Sequence, residues 1–370
     1  MRPASARILL LLLAFALLSP TAATAQEYSS AYGPLPVFEF HSGFWINLHH
    51  TLYYEARRRS APPPAPRVSN AGPQLKLKTM QDAASALTPA EKIAWSTAVA
   101  YYAANYANKD LLFNTELMML KNQLEDFEDC DDLSGAHKKT CDAGLPPGIT
   151  RVLDAAAPVY RAHLWHAQDL ANRRWIARVA PLVIEQGVGV SLRLADIYQT
   201  SWPREKIRVD VSAYANSAGA YTTLDPLRVT ISSTDPRNQG DQAFEVLFHE
   251  ASYGIAVPVQ DAILRECRQR GKAIPRDLWH ALIFYTTGRV IQPLLMTPGD
   301  EPRENQSAGD SSSSSPPAVP KEAFPAHSVR ESLDARGWSG YYQLLIRFWQ
   351  PYLDSKASFD DAIARMVSAL

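Results

Sequence analysis

The chain has 370 residues, 46% of them hydrophobic, and carries 37 basic against 38 acidic side chains. That length is enough to bury a large core in one or two domains. The near-neutral balance gives no electrostatic pull on a phosphate backbone, which argues against a nucleic-acid partner.

Residues 1–25 read as a secretory signal. Arg2 and Arg7 supply the positive start, 8–18 is an apolar run too short for a mature spanning helix, and Ala23-Thr24-Ala25 offers small residues for cleavage. Removing them leaves 35 basic and 38 acidic side chains. No later stretch is apolar for long enough to cross a bilayer. The product is expected in the periplasm or outside the cell, with no stable membrane anchor after cleavage.

Residues 26–200 read as a helical N-terminal region. Apolar residues at helical spacing cover 44–56, with His49 and His50 among them and Arg57, Arg58 and Arg59 suited to the C-terminal end. A proline-rich run at 62–66 forbids helix. Thr88-Pro89-Ala90-Glu91 is a capping box that opens the next helix. Further helices are expected at 111–124, 155–170 and 174–198. Cys130 and Cys141 flank a short polar stretch, and an oxidising compartment would let them close a disulfide, leaving Cys267 unpaired. Spacing alone leaves open three separate thiols.

Residues 201–296 change period. Ile207, Val209 and Val211 alternate with polar residues, as do Leu227, Val229 and Ile231, and both runs predict half-buried strands. The segment 214–223 between them reads as polar and turn-like. Asp241 is the expected cap of the following helix. Pro258 ends or restarts that helix, and helix resumes at 263–270 and 276–292. Residues 297–326, with serines at 311–315 and five prolines between Pro302 and Pro325, read as a disordered surface loop. Helices at 341–352 and 359–370, the latter capped by Ser358, are expected to close the core within 327–370.

The chemistry concentrates at His249-Glu250-Ala251-Ser252-Tyr253. In an intact H-E-x-x-H helix, two histidines one turn apart bind Zn²⁺ and the glutamate acts as general base on a metal-bound water. Here the second ligand place holds Tyr253, a phenol that ligates only when deprotonated.

Around this motif the passages Ala213-Tyr214-Ala215-Asn216, Gly219-Ala220-Tyr221-Thr222-Thr223 and Val229-Thr230-Ile231-Ser232-Ser233 resemble a group of exported bacterial proteins built like glutamate-zincins, the thermolysin-like zinc peptidases. The resemblance runs from about residue 44 to 295. It implies an α+β, predominantly helical fold, with a zincin-like core in which a small antiparallel or mixed sheet precedes the motif helix. It also implies a Zn²⁺ site whose third ligand, a glutamate, would fall at position 289.

Position 289 is Arg289, a permanent cation with no acceptor. Two of three ligand places are thus changed, which leaves His249 a remnant ligand and Glu250 a remnant base. Arg289 is expected to pair with Glu250 in place of the lost ion. His280 lies half a turn out of phase with Arg289, and is either a packed histidine or a substitute ligand beside His249 and Glu250. His41, His49, His50, His163 and His166 either line a cleft beside the helical region or are packing residues, and their helical spacing in an apolar setting favours packing.

Three functions follow. The first is a peptidase-like protein with no cofactor that keeps a cleft for a peptide or protein partner. The second is an active zinc hydrolase with an unusual ligand set. The third is an envelope protein whose tryptophans bind wall polymers.

Overall fold

Four short segments build a sheet with two unlike faces. Strands β1 (Phe38–His41), β2 (Ile207–Ser212), β3 (Ala220–Leu224) and β4 (Leu227–Ser232) lie in the order β1-β2-β4-β3. β1, β2 and β4 run parallel, and β3 closes the edge antiparallel to β4. The computed structural model describes residues 37–60, 77–295, 333–334 and 336–370, all within the one compact unit Pro36–Leu370. The signal segment, the proline run at 62–66 and the stretch 297–326 lie outside the described residues.

Helices make up most of the described chain. They are α1 (Phe44–Ser60), α2 (Pro89–Asn105), α3 (Thr115–Asp126), α4 (Pro147–Tyr160), α5 (His166–Ile197), α6 (Asp241–Ser252), α7 (Val257–Gln269), α8 (Leu278–Leu295), α9 (Ser339–Leu344), α10 (Gln350–Leu353) and α11 (Phe359–Ser368). The protein is therefore predominantly helical with a small mixed sheet. Thr88 and Glu91 form the expected capping box, and Ser358 accepts from the Asp361 N–H. A π-helical turn at Arg161–Trp165 joins α4 to α5, so the two helices expected at 155–170 and 174–198 run together. Pro258 sits in the first turn of α7, where its missing N–H costs nothing, and so restarts the chain as helix.

Three expectations are corrected. Residues 38–41, within the region read as helical, supply a strand. The segment 214–223 contains the start of β3, because an edge strand needs one ladder partner and its threonines find polar neighbours. Gly240, at φ 58°, caps α6 in a conformation that favours glycine, and Asp241 is the first helical residue.

The pleat sends Ile207, Val209, Val211, Ala220, Val229 and Ile231 to one face, where they pack with residues of α5, α6, α7 and α8. The opposite face carries Arg208, Asp210, Ser212, Tyr221, Thr223 and Thr230 and is covered by α1 and α3. Lys121 on α3 pairs with Glu125 at 2.9 Å and donates to Thr223 Oγ1 at 3.1 Å. Arg228 holds Glu125 at 2.8 Å, while Arg208 bridges Asp210 and Glu128, each at 2.8 Å. Burial, then the charge of Glu125, pushes the Asp210 carboxyl up to about 7, against the pull of Arg208. Such a network adds little net stability against an apolar alternative, yet losing one partner costs about 3–5 kcal/mol. It therefore fixes how α3 sits on the sheet.

Cys130 and Cys141 are disulfide-bonded, and Cys267 is a buried free thiol. Among the described residues no helix is long and apolar enough to cross a membrane.

Candidate functional site

Helix α6 presents His249 and Tyr253 on one face because they stand one turn apart. Phe244, Leu247, Phe248 and Ala251 bury its other faces. Helix α8 brings His280 to the same point. The Tyr253 hydroxyl lies 3.2 Å from His249 Nε2 and makes a short hydrogen bond with His280 Nε2. The two imidazoles stack at 23° with centroids 5.4 Å apart, and Phe284, Trp279 and Trp338 enclose them.

The tautomers follow from proton counting. His249 Nδ1 is buried with no hydrogen-bond partner, which a bare lone pair tolerates better than an N–H. His249 Nε2–H therefore donates to Tyr253 Oη, whose own proton goes to His280 Nε2. Burial, then the neighbouring His280, holds His249 well below the usual histidine range. Burial, then Arg336, lowers His280 to about 4. Burial, then the charge of Glu250, raises the Tyr253 phenol above its ordinary range. All three groups are neutral near pH 7, and the phenol is a hydrogen-bond hub between two helices.

Glu250 turns to the edge strand instead. The Thr222 hydroxyl lies 2.7 Å from Glu250 Oε2 and 2.9 Å from the Glu250 backbone carbonyl. Burial pushes this carboxyl up to about 7, against the hydrogen bond from Thr222 and the charge of Arg336. Burial likewise raises Glu245, one turn before His249, to about 7.

Arg289 is not brought to Glu250. Its Nε points to Tyr285 Oη at 3.2 Å and Gln350 Oε1 at 3.0 Å, on the side of α8 that meets α10. The cation whose charge reaches Glu250, His249, His280 and Glu245 is Arg336, which lies 4.4 Å over the Phe284 ring. Nothing local in the sequence marks Arg336, since it enters from beyond the 297–326 stretch. Thr222 is not marked either, because Ala220-Tyr221-Thr222-Thr223-Leu224 carries no apolar–polar alternation.

The donor set does not fit the Zn²⁺ ion that the resemblance implies. One ligand place is a phenol already bonded to both imidazoles, and the place expected for a carboxylate is an arginine facing away. Among the described residues no three His, Cys, Asp or Glu side chains are grouped to hold a metal ion.

The other histidines that the sequence singles out are engaged elsewhere or exposed. His41 bonds Glu128, His49 bonds Tyr102, His50 bridges Ser212 and Tyr221, and His163 bonds Glu91. His166 is exposed on the surface. Trp45, Trp175 and Trp349 are core residues.

Comparison with protein-family models, curated proteins and solved structures gives no match to this chain.

Proposed function

We propose that this chain is an exported, peptidase-like protein that holds a peptide or protein partner beside α6 without hydrolysing it. The observation that carries the reading is how the motif is occupied: the Tyr253 hydroxyl links the two imidazoles, and Glu250 is tied to Thr222 on the edge strand. A carboxyl that titrates at about 7 works as a base only on a nucleophile held beside it, and at this motif the second ligand place is a phenol bonded to both imidazoles. The antiparallel edge strand β3 beside the motif helix supports a zincin-like core, and half-buried Trp279, His280 and Trp338 provide an amphipathic surface for a peptide. The signal-like start and the disulfide support export.

The wall-polymer reading is less favoured, because Trp45, Trp175 and Trp349 are spent on packing. The decisive experiment incubates the purified chain and Glu250→Gln with a mixture of peptides and analyses products by mass spectrometry, beside metal analysis of both proteins. The expected result is identical, uncleaved mixtures and no stoichiometric zinc, with peptides retained by the immobilised chain and lost on Trp279→Ala. Cleavage by the unaltered chain alone, or one zinc per chain, would establish the hydrolase instead.

A further inference from the structure

A second candidate site lies away from the motif, where the C-terminal end of α1 meets the start of α2. The chain encloses an open cavity there of about 470 Å³, a volume typical of small-molecule sites. Its floor is apolar: Met80, Leu87 and Trp95 are all buried. Set into that floor is Glu55, 7% exposed. One carboxyl oxygen of Glu55 accepts from the Met80 N–H at 2.7 Å and the other from Trp95 Nε1 at 2.9 Å. Both donors are neutral, and a carboxylate has about four acceptor positions. Glu55 thus keeps acceptor capacity at the cavity wall. The rim carries the opposite sign, with Arg58, Arg59 and Lys92 all exposed.

We propose that this cavity binds a small zwitterion, a free amino acid or dipeptide with apolar side chains. Its ammonium group bonds Glu55, its carboxylate meets Arg58, Arg59 and Lys92, and its side chain lies on Met80, Leu87 and Trp95. The separation of charge selects this class. A simple anion deep enough to use the apolar floor meets the Glu55 carboxylate, and a simple amine must pass three cations. Only a ligand carrying both charges satisfies floor and rim together. The site shares no residue with the His249 cluster and stands or falls independently of it.

Calorimetric titration with leucine and leucyl-leucine tests the assignment, using 4-methylpentanoate and 3-methylbutylamine as analogues that each lack one charge. Saturable binding of at least one zwitterion is expected, weakened tenfold or more in both analogues and in the double variant Arg58→Met, Lys92→Met. That variant changes exposed side chains, and its melting temperature checks that it is folded. Glu55→Gln is expected to weaken the zwitterion and not the carboxylate analogue. If Glu55→Gln fails to fold, the rim variant and the analogue series still decide. Absence of heat with both zwitterions, or either analogue binding as tightly as the zwitterion, would overturn the proposal.

Discussion

The Thr222 hydroxyl makes two contacts to Glu250, 2.7 Å to a carboxyl oxygen and 2.9 Å to the backbone carbonyl. A hydroxyl has one proton to give. If it donates to the carbonyl, the shorter contact is complete only when the carboxyl carries a proton and donates in turn. Burial favours that protonated form and raises the carboxyl to about 7, while a bond from Thr222 to the carboxyl oxygen works against it.

Glu250→Gln tests this through pH. The carboxyl titrates at about 7 when folded, against an ordinary 4.5. Below 4.5 both folded and unfolded chains hold the proton. Between 4.5 and 7 only the folded chain holds it, so its contribution to stability declines as pH rises and is gone above 7. The amide does not titrate and still donates to Thr222. The stability of Glu250→Gln relative to the parent should rise by on the order of 2–3 kcal/mol between pH 4.5 and pH 8. Urea denaturation at both pH values measures the gap. A gap that stays constant means Glu250 is ionised in the folded state.

Tyr253→Phe isolates the hub, because it keeps the ring that packs edge-on against Trp279 at 5.7 Å and removes only the hydroxyl. His249 Nε2 and His280 Nε2 both lose their partner. A buried polar group left unsatisfied costs about 1–3 kcal/mol. His280 is partly exposed and recruits water, so most of the loss should come from His249. A thermal melt near pH 7 should show the variant less stable by that amount. Equal melting temperatures would show that the hydroxyl does not join α6 to α8.

Much of this fold was legible in the chain. Period-two alternation located β2 and β4, the Thr88 capping box located α2, and apolar spacing found α6 and α8. What escaped had a common cause. β1 is only four residues long and owes its strand character to parallel pairing with residues 207–210, which no local pattern encodes. β3 is polar because one of its faces meets Lys121 and the other meets Glu250, so its side chains lacked the apolar half of an alternating signal. At the site, His249, Glu250 and Tyr253 were fixed by spacing along one helix. Which cation came near depended on tertiary packing, and the charge came from Arg336 while Arg289 faced Gln350.

The Cys130–Cys141 disulfide is the remaining test, and its worth follows from loop length. The cysteines are 11 residues apart, and closing a loop of that size in the unfolded chain corresponds to about 3 kcal/mol in the chain-entropy account. Within the loop, Asp132 accepts from the Ser134, Ala136 and His137 backbone N–H groups. Trp45 Nε1 donates to the Cys130 carbonyl at 2.8 Å, pinning one end to the core beneath α1. These bonds do not need the sulfur bridge. Cys130→Ser, Cys141→Ser should therefore remain folded while its urea midpoint falls, corresponding to a loss of about 2–3 kcal/mol. The slope of the transition is itself informative, since a chain without the link exposes more surface on unfolding and should show a slightly larger value. If the midpoint stayed within error of the parent, the loop's own hydrogen bonds, rather than the covalent link, would be what orders residues 130–141.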